Sequence, residues 1–208
     1  EPAQETVYGS VSYQQADAAY FTDEVLDKVV ATCGDYELTN REFVFYYWQA
    51  YYSLLNYFGS NISYYMDPTA RLDSQFIEED YTFDQYLAES SLDSFGTYAP
   101  FYTQALAEGY ELSGEYKALL DGLPEQLETE ALAAGCASAE DYVKRSFGPY
   151  VSMEDYMNYM TVYITVSGYV SEKFDSLTFS DEELSEAFDA NAAGYAAQGI
   201  VKKNNVNV

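Results

Sequence analysis

Apolar positions recur along most of this chain with a helical period, and nearly every periodic run opens on a residue suited to capping a helix. Ahead of the first run, Lys28 to Cys33 is a short β-type stretch. Gly34-Asp35 is a turn pair and Tyr36-Glu37-Leu38 returns, which predicts a small hairpin. Thr39 with Glu42 then fits a capping box, the Thr hydroxyl taking the third backbone N–H and the Glu reaching back. Thr82 with Gln85 and Ser180 with Glu183 repeat it. Ser113, Ser138 and Ser152 are N-caps of the simpler kind. Gly109 and Gly135 stand where C-caps belong, and Gly148-Pro149 closes another helix. The predicted helices cover 40–58, 83–107, 114–134, 139–147, 153–175 and 181–192. Pro124, inside the third, should kink or split it.

Two of these helices carry a clear apolar stripe. One runs through Phe83, Leu87, Ser91, Phe95, Tyr98, Tyr102 and Ala105; the other through Met153, Met157, Met160, Ile164, Val170 and Phe174. Helix 40–58 has no stripe, because aromatic and aliphatic residues leave almost no polar face. A helix apolar all round is buried on every side or covered by a partner. Residues 59–81 read as a long loop. The organisation expected is a flexible tether over 1–27, with Thr22-Asp23-Glu24 capping a short turn, and a helical domain over 28–199. The alternating run at 200–208 reads as the first strand of a following domain. The fold class expected is therefore mainly α, with a short N-terminal hairpin and an incipient C-terminal strand.

Charge narrows the choice of partners. The chain has 9 basic and 35 acidic residues, so 9 − 35 = −26, which disfavours nucleic acid and anionic membrane surfaces. It has no His, which removes the commonest general base and zinc ligand and rules out Ser-His-Asp and Cys-His catalysis within this segment. No phosphate-binding Gly loop, no Cys-x-x-Cys and no EF-hand loop is present. No cofactor and no catalytic residue are therefore assigned. Acidic residues at helix starts, such as Asp181 to Glu183, favour the helix dipole. Cys33 and Cys136, the only cysteines, read as free thiols. Asn61-Ile62-Ser63 matches a glycosylation sequon, a weak signal over three residues.

Val29-Val30-Ala31-Thr32-Cys33-Gly34-Asp35-Tyr36-Glu37-Leu38-Thr39-Asn40-Arg41-Glu42-Phe43 resembles the opening of the SurA/PrsA-type N-terminal domain. That family begins with two short strands around a tight turn, then Thr or Ser capping a long helix. The Gly-Pro before a late long helix and the segment Leu177 to Leu184 are similar in plan, so the resemblance covers roughly Lys28 to Val208. It implies a SurA-N-like helical domain that holds unfolded or extended polypeptide outside the cytoplasm. It also implies a parvulin-type prolyl isomerase domain beyond Val208, and a secreted or lipid-anchored cell-surface protein whose only membrane link is an upstream anchor. The aromatic load and the acidity are heavier than the family pattern.

The candidate polypeptide-binding residues are Tyr46, Tyr47, Trp48, Tyr51, Tyr52, Tyr57 and Phe58, because Tyr offers an apolar ring with a wet end. The same helix also reads as the core helix of a bundle, although its tyrosines cannot all face inward. One alternative is a structural scaffold that forms a homodimer without chaperone activity. A sugar-binding or catalytic domain ranks last.

Overall fold

The computed structural model describes residues 22–68 and 70–201. The expectations placed on residues 1–21 of the tether and on 202–208 of the terminal strand lie outside the described residues; Ile200 and Val201 belong to no strand.

The elements follow the caps. They are α1 (Asp23–Leu26), β1 (Val29–Cys33), β2 (Tyr36–Thr39), α2 (Asn40–Phe58), β3 (Phe76–Glu78), β4 (Tyr81–Thr82), α3 (Phe83–Ala107), α4 (Gly114–Ala133), α5 (Ala139–Phe147), α6 (Met153–Ser176), α7 (Asp181–Ala190) and α8 (Ala192–Ala197). The fold is mainly α with a short N-terminal hairpin, β1 and β2 pairing antiparallel. The chain falls into two compact units, one ending at Val170 and the other beginning at Ser171, within the stretch expected as one domain over 28–199.

Local chemistry explains the helix ends. Thr82–Gln85 and Ser180–Glu183 form complete capping boxes. Ser138 accepts from the Asp141 N–H at 3.1 Å. Ser152 and Asp155 cap reciprocally ahead of α6. Ser113 occupies the N-cap position of α4 but makes no side-chain cap bond. Gly109 and Gly135 end α3 and α4 in the left-handed region, with φ of +68° and +74°. In both cases the next residue's N–H reaches back five positions, Tyr110 to Ala105 and Cys136 to Ala131, which is the Schellman arrangement.

Three expectations are corrected. Helix α4 runs unbroken through Pro124. The proline stands on the exposed side, while Leu123 and Leu127 pack on the buried side. Segment 59–81 is not all loop: two 3₁₀ turns, Gly59–Tyr64 and Leu72–Ser74, lead into the β3–β4 hairpin. Buried Met66 and Leu72 anchor it, and the Gln75 side chain bonds both the N–H and the carbonyl of Asp67. The end of the expected tether is folded: the turn opening at Thr22 is the four-residue helix α1, Asp23–Leu26. Leu26 is buried, and Arg41 of α2 reaches Asp23 and Asp27 at 3.0 Å.

The core of the first unit is built around α2. Phe45 sits against Phe147, Tyr156 and Tyr159, and Tyr46 against Phe95 and Tyr159. Trp48 donates from Nε1 to the Phe147 carbonyl at 2.9 Å, and the Tyr52 hydroxyl donates to the Ser146 carbonyl at 2.9 Å. Those carbonyls belong to the last turn of α5, which lacks intrahelical partners, so α2 caps α5 from the side. A smaller cluster of Leu123, Leu127 and Ala139 joins α4 and α5 to Met153, Met157 and Met160 of α6. These three Met are partly buried, and Met160 also lines a hollow beside α2.

In the second unit, the end of α6 is followed by α7 and α8. Phe188 stacks on Tyr195 with centroids 5.4 Å apart. None of its described residues is fully buried.

Trp48 supplies both ring volume and a bond to a helix-end carbonyl. Trp48→Phe should lower unfolding stability by roughly 2 kcal/mol through the combined cavity and lost hydrogen bond. Urea unfolding followed by circular dichroism measures this, and a loss near zero contradicts the placement of Trp48.

Candidate functional site

Helix α2 does have a polar stripe, though a narrow one. Gln49, Ser53, Asn56 and Tyr57 recur at helical spacing and are all exposed. Every neighbouring turn of the helix is wrapped in apolar contact, so this stripe is the part of α2 left open. A hollow flanks it on each side. The larger, of about 510 Å³, lies between α2 and α3 and is lined by Tyr46, Ala50, Leu54, Tyr57 and Phe58 from α2 and by Tyr86, Ser90, Ser94 and Tyr98 from α3. The second, of about 370 Å³, lies between α2 and the α5–α6 side and is lined by Phe45, Tyr52, Asn56, Phe147, Tyr156, Tyr159, Met160 and Tyr163. Gln49 and Ser53 line both, so the two hollows form one groove with a low polar ridge along its floor.

The hydroxyls are tied together. The Tyr159 hydroxyl donates to the Gln49 side-chain carbonyl, fixing the ridge to α6. Tyr98 of α3 lies against Tyr163 of α6, with ring centroids 5.4 Å apart. Below Tyr46, the Tyr36 hydroxyl donates to the carboxylate of Glu42. This corrects the expected capping box at Thr39. The Thr39 side chain accepts from the Glu42 N–H at 3.3 Å, but the Glu42 carboxylate is turned to Tyr36 rather than back to the cap.

Electrostatically the groove is unlike the rest of the molecule. Among the described residues, no Asp, Glu, Lys or Arg lines either hollow. Burial pushes the phenols of Tyr46 and Tyr159 well above their ordinary value, so they remain neutral hydroxyls throughout the physiological range. Neutral hydroxyls and amides on an aromatic wall can stack on a ligand and exchange hydrogen bonds with it. They supply no nucleophile–base pair. Among the described residues, no group of three or more Cys, Asp or Glu could hold a metal ion.

The seven residues expected to bind polypeptide divide sharply. Tyr47, Trp48 and Tyr51 are buried in the core and contribute to neither hollow, which corrects their assignment as surface contacts. A helix this aromatic must spend most of its rings on enclosure. Tyr46 is buried but shows an edge to the larger hollow, and the half-buried Tyr52 lines the smaller. Tyr57, 84% exposed, stands on the rim with Phe58, whose ring is 4.2 Å from Tyr65. Tyr86, Tyr98, Tyr156, Tyr159 and Tyr163 are groove residues that sequence reasoning missed. The signal available for them was the recurrence of Tyr at helical spacing in 83–107 and 153–175.

Compared with known proteins, the chain matches no family model, and no curated protein or solved structure is significantly similar to it. Among the described residues, no helix is long and apolar enough to cross a membrane.

Glu42 gives a pH test of the packing at the start of α2. Burial holds its carboxyl above the ordinary value, and the hydrogen bond from Tyr36 offsets part of that rise. An acid raised in the folded state contributes stability that is complete below its unfolded pKa and lost as pH rises through the folded one. Glu42→Gln keeps the acceptor and removes the charge. The variant should be more stable than wild type at pH 8 by on the order of 1 kcal/mol, the difference shrinking toward pH 4. Urea unfolding across that pH range reads it, and a difference that stays flat with pH contradicts the burial of an ionising Glu42.

Proposed function

We propose that this chain holds extended polypeptide in the groove over the open stripe of α2, as the holding module of a folding factor that works outside the cytoplasm. The observation that carries the reading is an open, two-lobed, uncharged groove walled by tyrosines in a chain of net charge −26. Water-facing tyrosine can take up apolar segments of varied sequence without committing to one side-chain pattern. The surrounding acidity keeps the loaded module soluble and apart from its copies. The hairpin-to-helix opening that resembles the SurA/PrsA-type domain supports the same reading. Holding competes with aggregation: a segment seated in the groove is withdrawn from intermolecular contact and released as its own folding proceeds. A partner prolyl isomerase domain would act on the slow X-Pro bonds of such segments.

A structural reading is favoured by a separate feature. In the second unit Phe174 is 71% exposed and Phe179 59%, with Leu177 and Leu184 also open, a set suited to self-association.

Two measurements separate these readings. With an aggregating model client diluted from denaturant, wild type should suppress light scattering at near-stoichiometric ratios. Tyr57→Ala combined with Tyr86→Ala should weaken that suppression by about tenfold, since both rings stand on the rim and each aromatic contact is worth about 1 kcal/mol or more. Wild type that neither binds the client nor slows its aggregation overturns the holding reading. In sedimentation velocity, the scaffold reading expects a dimer that Phe174→Ser with Phe179→Ser converts to monomer. A wild-type monomer at tens of micromolar removes that reading.

A further inference from the structure

Three features of the groove constrain its occupant beyond the bare requirement that it be extended. The first is the lining. With no charge on either wall, a ligand group that enters fully cannot carry a charge, since nothing inside would pair with it. The second is the field around it. Of the walls, α3 and the part of α6 up to Val170 contain no Lys or Arg; α2 contains only Arg41, which is engaged by Asp23, Asp27 and Asp155, and α5 contains Lys144, paired with Glu140, and Arg145, which donates to the Ala134 carbonyl. The exposed acids Glu89 and Asp93 stand one residue before Ser90 and Ser94 on the α3 wall, at the margin of the larger hollow. Charge flanking the seated segment is therefore favoured when positive and repelled when negative.

The third feature is the kind of hydrogen bonding on offer. The groove presents side-chain hydroxyls and amides, namely Gln49, Ser53, Asn56 and the tyrosines, set between helices. Among the described residues no strand borders either hollow, so an extended ligand does not find there a sheet edge to extend in a ladder. Hydroxyl and amide donors on aromatic walls suit instead a backbone whose carbonyls project outward and whose N–H groups are few. Polyproline II has that character, and proline rings lie flat against tyrosine. The dimensions agree. Residues 49 to 57 rise about 12 Å along α2, the length of roughly four residues of polyproline II at ~3.1 Å each.

From these we infer that the groove selects extended, proline-containing segments flanked by Lys or Arg. Proline rings seat between the tyrosines over the Gln49–Ser53 ridge, their carbonyls take the tyrosine and amide donors, and the flanking cations remain outside near Glu89 and Asp93. A flanking Lys or Arg also gains by lying over the exposed ring of Tyr57 at the rim. This rests on the polypeptide-holding reading above and names its ligand class.

The test is a fluorescence-anisotropy titration of the whole chain with four labelled peptides. These are a proline-rich core with Lys flanks, the same core with Glu flanks, the Lys-flanked peptide with Ala in place of Pro, and a neutral proline-rich core. The Lys-flanked proline peptide should bind about tenfold more tightly than the Glu-flanked and Ala-substituted ones, with the neutral peptide between, and the advantage of the Lys flanks should fade with added salt. Tyr57→Ala with Tyr86→Ala should abolish the preference while circular dichroism shows the fold kept. Equal affinity for all four peptides, in a chain that still suppresses client aggregation, overturns the ligand class and leaves the holding reading standing. Tight binding of the Lys-flanked peptide that ignores both tyrosine substitutions overturns the groove as its site. No binding of any peptide, together with no suppression of aggregation, overturns both.

Discussion

Helix α2 must hide most of its aromatic side chains, and that requirement organises the first unit. Phe45, Tyr46, Tyr47, Trp48 and Tyr51 point to several sides of one helix, so α3, α5, α6 and the first hairpin have to surround it. Enclosure is apolar in the main, but it is held in register by specific polar ends. Trp48 and Tyr52 close the carbonyls at the end of α5, Tyr47 donates to Asp84 at 2.6 Å at the start of α3, and Tyr159 reaches Gln49. Tyrosine suits this role better than phenylalanine because each buried ring brings a hydroxyl that fixes its orientation against a neighbour.

Enclosing such a helix leaves one strip uncovered. The strip is where the sequence turns polar, at Gln49, Ser53 and Asn56, and the walls beside it are the outer edges of the same tyrosines that fill the core. Core and groove are therefore continuous. A ligand seated on the ridge would rest against rings whose other faces are already locked, so the walls cost little to order on binding. The acidic surface and the neutral groove are complementary in the same way: a net charge of −26 opposes the approach of the aromatic strip to its counterpart on another copy.

The Tyr36–Glu42 contact shows what this economy costs. A carboxylate that the local pattern assigns to a cap is drawn under Tyr46 and half-buried without a cation, with Tyr36 and Tyr102 close to it. Its position in the first turn of α2 places it in the favourable end of the helix dipole, which offsets part of the burial. A carboxylate that would serve a helix end here ties the first hairpin to α2 through Tyr36.

How much was legible beforehand follows from which forces are local. Helix limits at Thr39, Thr82, Gly109, Gly135, Ser138 and Gly148 could be read directly, because a cap or a left-handed stop is decided within a few residues of itself. The mainly α class and the first hairpin followed for the same reason. The β3–β4 hairpin could not be read, because its three- and two-residue strands depend on Gln75 gripping Asp67 and on Leu72 finding the core. Nor could the fate of Pro124, which depends on which side of α4 meets water. Composition announced an aromatic helix with more tyrosine than a core needs, but not which rings would be spent. Tyr47, Trp48 and Tyr51 went inside, Tyr57 stayed out, and Tyr86, Tyr98, Tyr156, Tyr159 and Tyr163 joined the groove from helices far along the chain. The sequence by itself determined the limits of the five helices between Asn40 and Ser176 to within a residue or so, since backbone hydrogen bonds are satisfied locally, while α8 and the 3₁₀ turns went unread. Only the tertiary structure decided which face of each helix is open, since that depends on neighbours brought together by long-range burial.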